Sequence, residues 1–102
     1  MNMPNKILGR SLELIESGWT QKAYARDDTG ARVLSTSPNA CSWCSAGARK
    51  KAVRDLGASH AEEQMALRTL EKAMGSSAPH FNDTHTKAEV VAAFKAAIEA
   101  SK

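Results

Sequence analysis

The chain has 102 residues, enough for one hydrophobic core and too few for two. Hydrophobic residues make up 42% and charged residues 25%, which excludes both an extended disordered chain and a membrane-embedded one. The formal charge of +3 is mild, and the only concentration of basic side chains is Arg49, Lys50, Lys51 and Arg54.

No apolar run approaches the roughly 18 residues that a bilayer span needs. The opening Met1-Asn2-Met3-Pro4-Asn5-Lys6 has no apolar stretch behind a basic start, so it does not read as a signal peptide. The expectation is a cytoplasmic protein with no membrane partner. Much of the apolar content is alanine, which buries little area, so the core must lean on a few large residues.

In chain order, Asn5 suits a helix N-cap, and Ile7, Leu8, Leu12 and Ile15 follow at helical spacing. A first helix is expected over about residues 5–17, with Gly18 as the left-handed residue that ends it. From Gln21 to Arg26 the pattern alternates. Asp27-Asp28-Thr29-Gly30 then supplies turn chemistry before Ala31-Arg32-Val33-Leu34, which predicts a β-hairpin. A two-stranded ribbon is marginal alone and must lie on the helices.

Ser35 to Asn39 reads as a loop, and a second helix is expected over 40–56, closed by Gly57. Ser59-His60-Ala61-Glu62 is a capping box that launches a third helix through Met74 to Gly75. Ser76 to His85 reads as a loop. A second capping box, Thr86-Lys87-Ala88-Glu89, then opens the last helix, with Val90, Val91, Phe94, Ala97 and Ile98 inward. The expected fold is one α+β domain over residues 1–102, mainly helical, with about four helices and one antiparallel hairpin between the first two.

Three segments carry a family likeness: Leu14 to Thr20 with Gly18-Trp19, Ala40 to Ala48 with Cys44 and Gly47-Ala48, and Phe81 to Val90 with Asn82-Asp83. In this order they resemble a small bacterial and phage domain family of unknown function. Its pattern is a Gly-Trp after the first helix, a Cys-x-x-Gly-Ala at the second and a Trp-Asn-Asp before the last. The likeness spans about residues 7 to 99, and Phe81 stands where the family has tryptophan. It implies structural roles for Trp19, Cys44, Gly47, Phe81, Asn82 and Asp83. Members occur in actinobacterial and phage genomes, which implies a small accessory protein. Cys41, His60, His80 and His85 match no family position.

Cys41-Ser42-Trp43-Cys44 is a C-x-x-C at an expected helix start, where a thiol can be acidified. It lacks the βαβ setting of a thioredoxin-type pair, and the plainer reading makes Cys44 a small core residue and Cys41 a bystander. Zinc ligation by Cys41, Cys44, His80 and His85 would need far more intervening chain than a zinc finger has. No metal and no cofactor is expected. Asn82-Asp83 suits the organisation of the loop entering the last helix, and no nucleophile or base is linked to it.

Trp19 is expected to fold back on the first helix. Tyr24 is the exposed aromatic, and with Lys22, Arg26 and Arg32 on the same ribbon it marks the hairpin as the partner-facing surface. The expected function is therefore binding without chemistry: an accessory protein that engages a host protein, for example to inhibit a defence complex. Two other readings are kept. One is nucleic-acid association through the Arg49–Arg54 face, which lacks interleaved aromatics. The other is a small thiol or zinc protein.

Overall fold

The computed structural model describes residues 2–102. Five helices surround one core: α1 (Met3–Ser17), α2 (Ser45–Leu56), α3 (His60–Met74), α4 (Ala78–Thr84) and α5 (Lys87–Ala100). Between α1 and α2 the chain lays down three short strands, β1 (Ala25–Arg26), β2 (Arg32–Val33) and β3 (Ser42–Trp43). They form an antiparallel sheet in the order β2-β1-β3, with Ala25 opposite both Val33 and Trp43. The fold is thus mainly helical with a small antiparallel sheet, one helix and one strand richer than the sequence pattern suggests.

α1 is the centre of the bundle and packs on α2, α3 and α5. Ile7, Leu8 and Ile15 from α1 meet Leu70 from α3 and Val90 and Phe94 from α5, all essentially inaccessible to water. Alanines at 48, 52, 66, 93 and 97 fill the remaining contacts and let the helices approach closely. Both capping boxes form: Ser59 with Glu62 on α3, and Thr86 with Glu89 on α5. Hydrogen bonds from the backbone and hydroxyl of Thr86 hold the Glu89 carboxyl below the usual carboxylate range.

Four boundaries differ from the sequence reading. α1 starts at Met3, because Asn2 is the cap that accepts from the Asn5 amide and Pro4 occupies the first turn. Asn5 is instead buried, and its Nδ2 donates to the Ile98 carbonyl and the Ser101 hydroxyl at the end of α5. α2 starts at Ser45, not at residue 40, because Ser42–Trp43 pairs with β1 and Cys44 becomes the cap. The segment read as a loop before His85 contains α4, capped by Ser77 and opened by Pro79.

Gly18 is the fourth difference. Its φ of −177° is extended backbone, so no left-handed cap ends α1. Glycine is required there for space: a Cβ would lie 2.1 Å from the Cys41 carbonyl oxygen. Gly47 is under the same constraint, its missing Cβ falling 1.8 Å from the Tyr24 carbonyl oxygen. That carbonyl also accepts from the Cys44 amide at 3.2 Å, so sheet and α2 touch backbone to backbone.

Gly47→Ala should therefore destabilise the fold by about 3 kcal/mol, because neither backbone can yield freely. Gly9→Ala, mid-helix with nothing within 4 Å of the added methyl, should stabilise it by about 0.5–1 kcal/mol. Urea unfolding of the two variants beside the parent chain checks both signs.

Candidate functional site

The likeliest-looking chemistry in the sequence does not assemble. Cys41 and Cys44 flank the extended Ser42–Trp43 strand, which carries them apart rather than round a helical turn, and both are free thiols. Cys44 Sγ accepts from the Gly47 amide at 3.3 Å as the α2 cap. Burial pushes its thiol up, outweighing the amides of Gly47 and Ala46 that favour the thiolate. His85 stacks on Phe81 with ring centroids 3.7 Å apart, and its Nδ1 is held 2.9 Å from the Phe81 carbonyl. His80 and His60 are exposed. Among the described residues no three His, Cys, Asp or Glu side chains gather as a metal requires.

Asn82 is the residue whose environment departs most from expectation. It is completely buried on α4. Its Oδ1 accepts from the Trp19 indole N–H at 2.9 Å and from the Ser45 amide and hydroxyl at 3.0 Å each. Its Nδ2 donates to the Thr20 carbonyl at 3.0 Å. Three donors on one side and a carbonyl on the other fix which way the amide points. Asn82 and Asp83 therefore do not organise the entry to α5. They tie α4 to the chain after α1 and to the start of α2. Trp19 packs against the core, and Asn82 anchors its indole N–H.

The same tie extends into the hairpin. Gln21 Nε2 donates to the carbonyls of Asn82 and His85, and Asp83 Oδ1 accepts from the Lys22 amide at 2.9 Å. Lys22 has φ of 62°, the left-handed region that costs a residue with a Cβ about 1–2 kcal/mol. The Asp83 bond offsets that cost and sets the direction in which the ribbon leaves.

The outcome is an open groove of about 380 Å³ between the hairpin and α4. Lys22, Tyr24 and Arg32 stand on the ribbon side, and Pro79 and Asp83 face them from α4. Ala46 and Cys44, both buried, make the floor, with Ala23 and Val33 completing the apolar lining. Tyr24 is 56% exposed, and the Lys50 ammonium sits 5.5 Å from its ring centroid.

Three of the four hairpin residues singled out in the sequence thus converge, and Arg26 does not. Its Nε donates to Thr20 Oγ1, and its two terminal nitrogens donate to the carbonyls of Gly30 and Gln21. Arg26 staples its own ribbon and offers little to a partner. The basic stretch on α2 is likewise divided. Arg49 turns inward to Glu63 of α3 at 3.1 Å, with side chains only 14% and 16% exposed. Lys51 pairs with Asp55 at 3.3 Å, Lys50 leans on Tyr24, and Arg54 is exposed with no carboxylate partner among the described residues.

The family model described as "Family of unknown function (DUF6197)" matches residues 2–100. The chain belongs to this family. No curated protein and no solved structure matches it. The groove and the Asn82 joint both lie within the matched span.

Asn82→Ala should cost about 3 kcal/mol or more, since it strands three donors and a carbonyl in the interior. Thermal unfolding checks the magnitude. Faster amide exchange at Ser45, with the α3–α5 contacts still protected, checks the location. In the native chain one thiol, that of Cys41, should react readily with a thiol reagent, and Cys44 should follow only in denaturant. Equal native reactivity of both would refute the buried cap.

Proposed function

We propose that this protein is a non-catalytic binding module that engages another protein through the groove between the hairpin and α4. The observation that carries the reading is the convergence of Lys22, Tyr24 and Arg32 around an apolar floor. An exposed tyrosine beside cationic side chains, over a preformed concavity, is the composition that interface centres favour. The ribbon that carries them is held by the Asp83 and Gln21 bonds, so little ordering entropy is left to be lost on docking. A left-handed residue at the lip, Lys22, fits the tendency of backbone strain to collect at binding sites.

The grouping of side chains also favours binding over reaction. Of the groups lining the groove, the Asp83 carboxylate accepts from the Lys22 backbone amide, and the Cys44 thiol is raised by burial. In the setting implied by the family likeness, such a module would act as an accessory protein that occupies and thereby modulates a host protein, a defence complex being one such target. Association with nucleic acid through α2 draws less support, because Arg49 and Lys51 already have carboxylate partners.

Tyr24→Ala should abolish most capture of a defined protein partner in an affinity pull-down from host lysate, without lowering the unfolding temperature appreciably. Arg54→Glu, on the far end of α2, should leave capture unchanged. Capture indifferent to Tyr24 but lost with Arg54 would reverse the assignment of the surface.

A further inference from the structure

We infer that the groove takes an acidic, extended peptide segment of a partner protein, an apolar side chain seated over Ala46 and Cys44 and flanking carboxylates set against Lys22 and Arg32. The inference rests on the protein-binding reading and adds to it the chemistry of the bound segment.

Charge is the first argument. The ammonium of Lys22 and the guanidinium of Arg32 both stand at the groove, and among the described residues neither has a carboxylate within 4.0 Å. Lys50 adds a third cation beside Tyr24. The single acidic group at the groove is Asp83, whose Oδ1 already accepts from the Lys22 amide and from Asn82 Nδ2. The groove therefore carries a net positive charge that the fold does not neutralise. At the contacts of α2 with α1 and α3, by comparison, Arg10 and Lys51 share Asp55, and Arg49 is matched with Glu63. Cations left free around an apolar concavity attract carboxylates, and the guanidinium suits bidentate contact with one.

Shape is the second. A volume of about 380 Å³ lies near the lower end of the range for ligand clefts, roughly 300–1,000 Å³, enough for one or two side chains rather than a folded surface. Its floor is small, Ala46 and a buried thiol, so the space above it suits an aliphatic or aromatic side chain reaching in from the partner. Tyr24 and Pro79 stand on opposite sides and offer flat, stiff contact area to that side chain. The cations on the ribbon and the apolar floor then read a segment with carboxylate and apolar residues two positions apart, which an extended strand presents on one face.

The test uses the full chain and a fluorescent synthetic peptide in which aspartate and leucine or phenylalanine take turns at every second position, with serine between. Matched peptides carry lysine for aspartate, or serine for leucine and phenylalanine, and a single-stranded DNA oligomer serves as a fourth probe. Anisotropy should show the acidic apolar peptide alone binding, more weakly as salt rises. Amide shifts should centre on residues 22–24, 32–33 and 79–83. Arg32→Glu and Lys22→Glu, both exposed positions outside the core, should each weaken binding about tenfold while leaving the remaining amide spectrum in place. Equal binding of the lysine peptide, preference for the DNA oligomer, or shifts centred on another face would overturn the inference. If no peptide binds but partner capture still depends on Tyr24, this inference fails and the protein-binding reading stands. If capture is also indifferent to Tyr24, both fail.

Discussion

The carboxamide of Asn82 is the joint between the two ways this chain holds itself together. The helical bundle is an ordinary apolar core, built from Ile7, Leu8, Ile15, Leu70, Val90 and Phe94. The ribbon has no such core of its own, since its three strands are two residues each. What fixes it is a polar contact at the centre: one buried amide group accepts from Trp19 and Ser45 and donates to Thr20. A buried polar group is costly unless it is paired, and this one is paired on both its oxygen and its nitrogen. That makes it selective. Any other placement of the ribbon strands the amide.

Close backbone approach completes the arrangement. Gly47 lets the Tyr24 carbonyl rest on α2, and Gly18 lets the chain leaving α1 lie against Cys41. Trp43, between these contacts, pairs with Ala25 on one side and receives the Gly18–Thr20 backbone on the other. Its indole N–H donates to the Ser35 carbonyl, holding the loop that follows β2. Each of these bonds restrains the same dozen or so residues from a different direction, so the left-handed Lys22 can persist. The groove is what remains between a ribbon fixed in this way and α4.

The distribution of charge follows from the packing. Asp55 at the end of α2 gathers Arg10 and Lys51, and Glu63 of α3 gathers Arg49, so the cations at these helix contacts are matched. Half-buried pairs of this kind add little net stability but determine which cations are left over. Those at the ribbon are left over because, among the described residues, no carboxylate, Asp83 of the groove included, comes within 4.0 Å of the Lys22 ammonium or the Arg32 guanidinium.

Much of the bundle could be read directly from the sequence. The capping boxes at Ser59 and Thr86, the glycines after α2 and α3, and the Asp-Gly turn act over three or four residues, and local patterns record them. Exposure of Tyr24 was legible for the same reason, in an alternating ribbon with one aromatic. The short elements were not. α4 has only seven residues, too few for periodicity to separate it from a loop, although Ser77 and Pro79 carried a start signal. β3 lies where Cys41-Ser42-Trp43-Cys44 resembles a helix opening, and only its pairing with β1 makes it a strand. The sequence by itself determined the helices, their caps and the apolar faces that drive them together. Tertiary structure alone decided that Asn82 would meet partners 37 and 63 positions away, that Arg26 would turn inward, and that Lys22, Tyr24 and Arg32 would share a groove. Those outcomes depend on which buried polar groups find one another, and no local pattern encodes that.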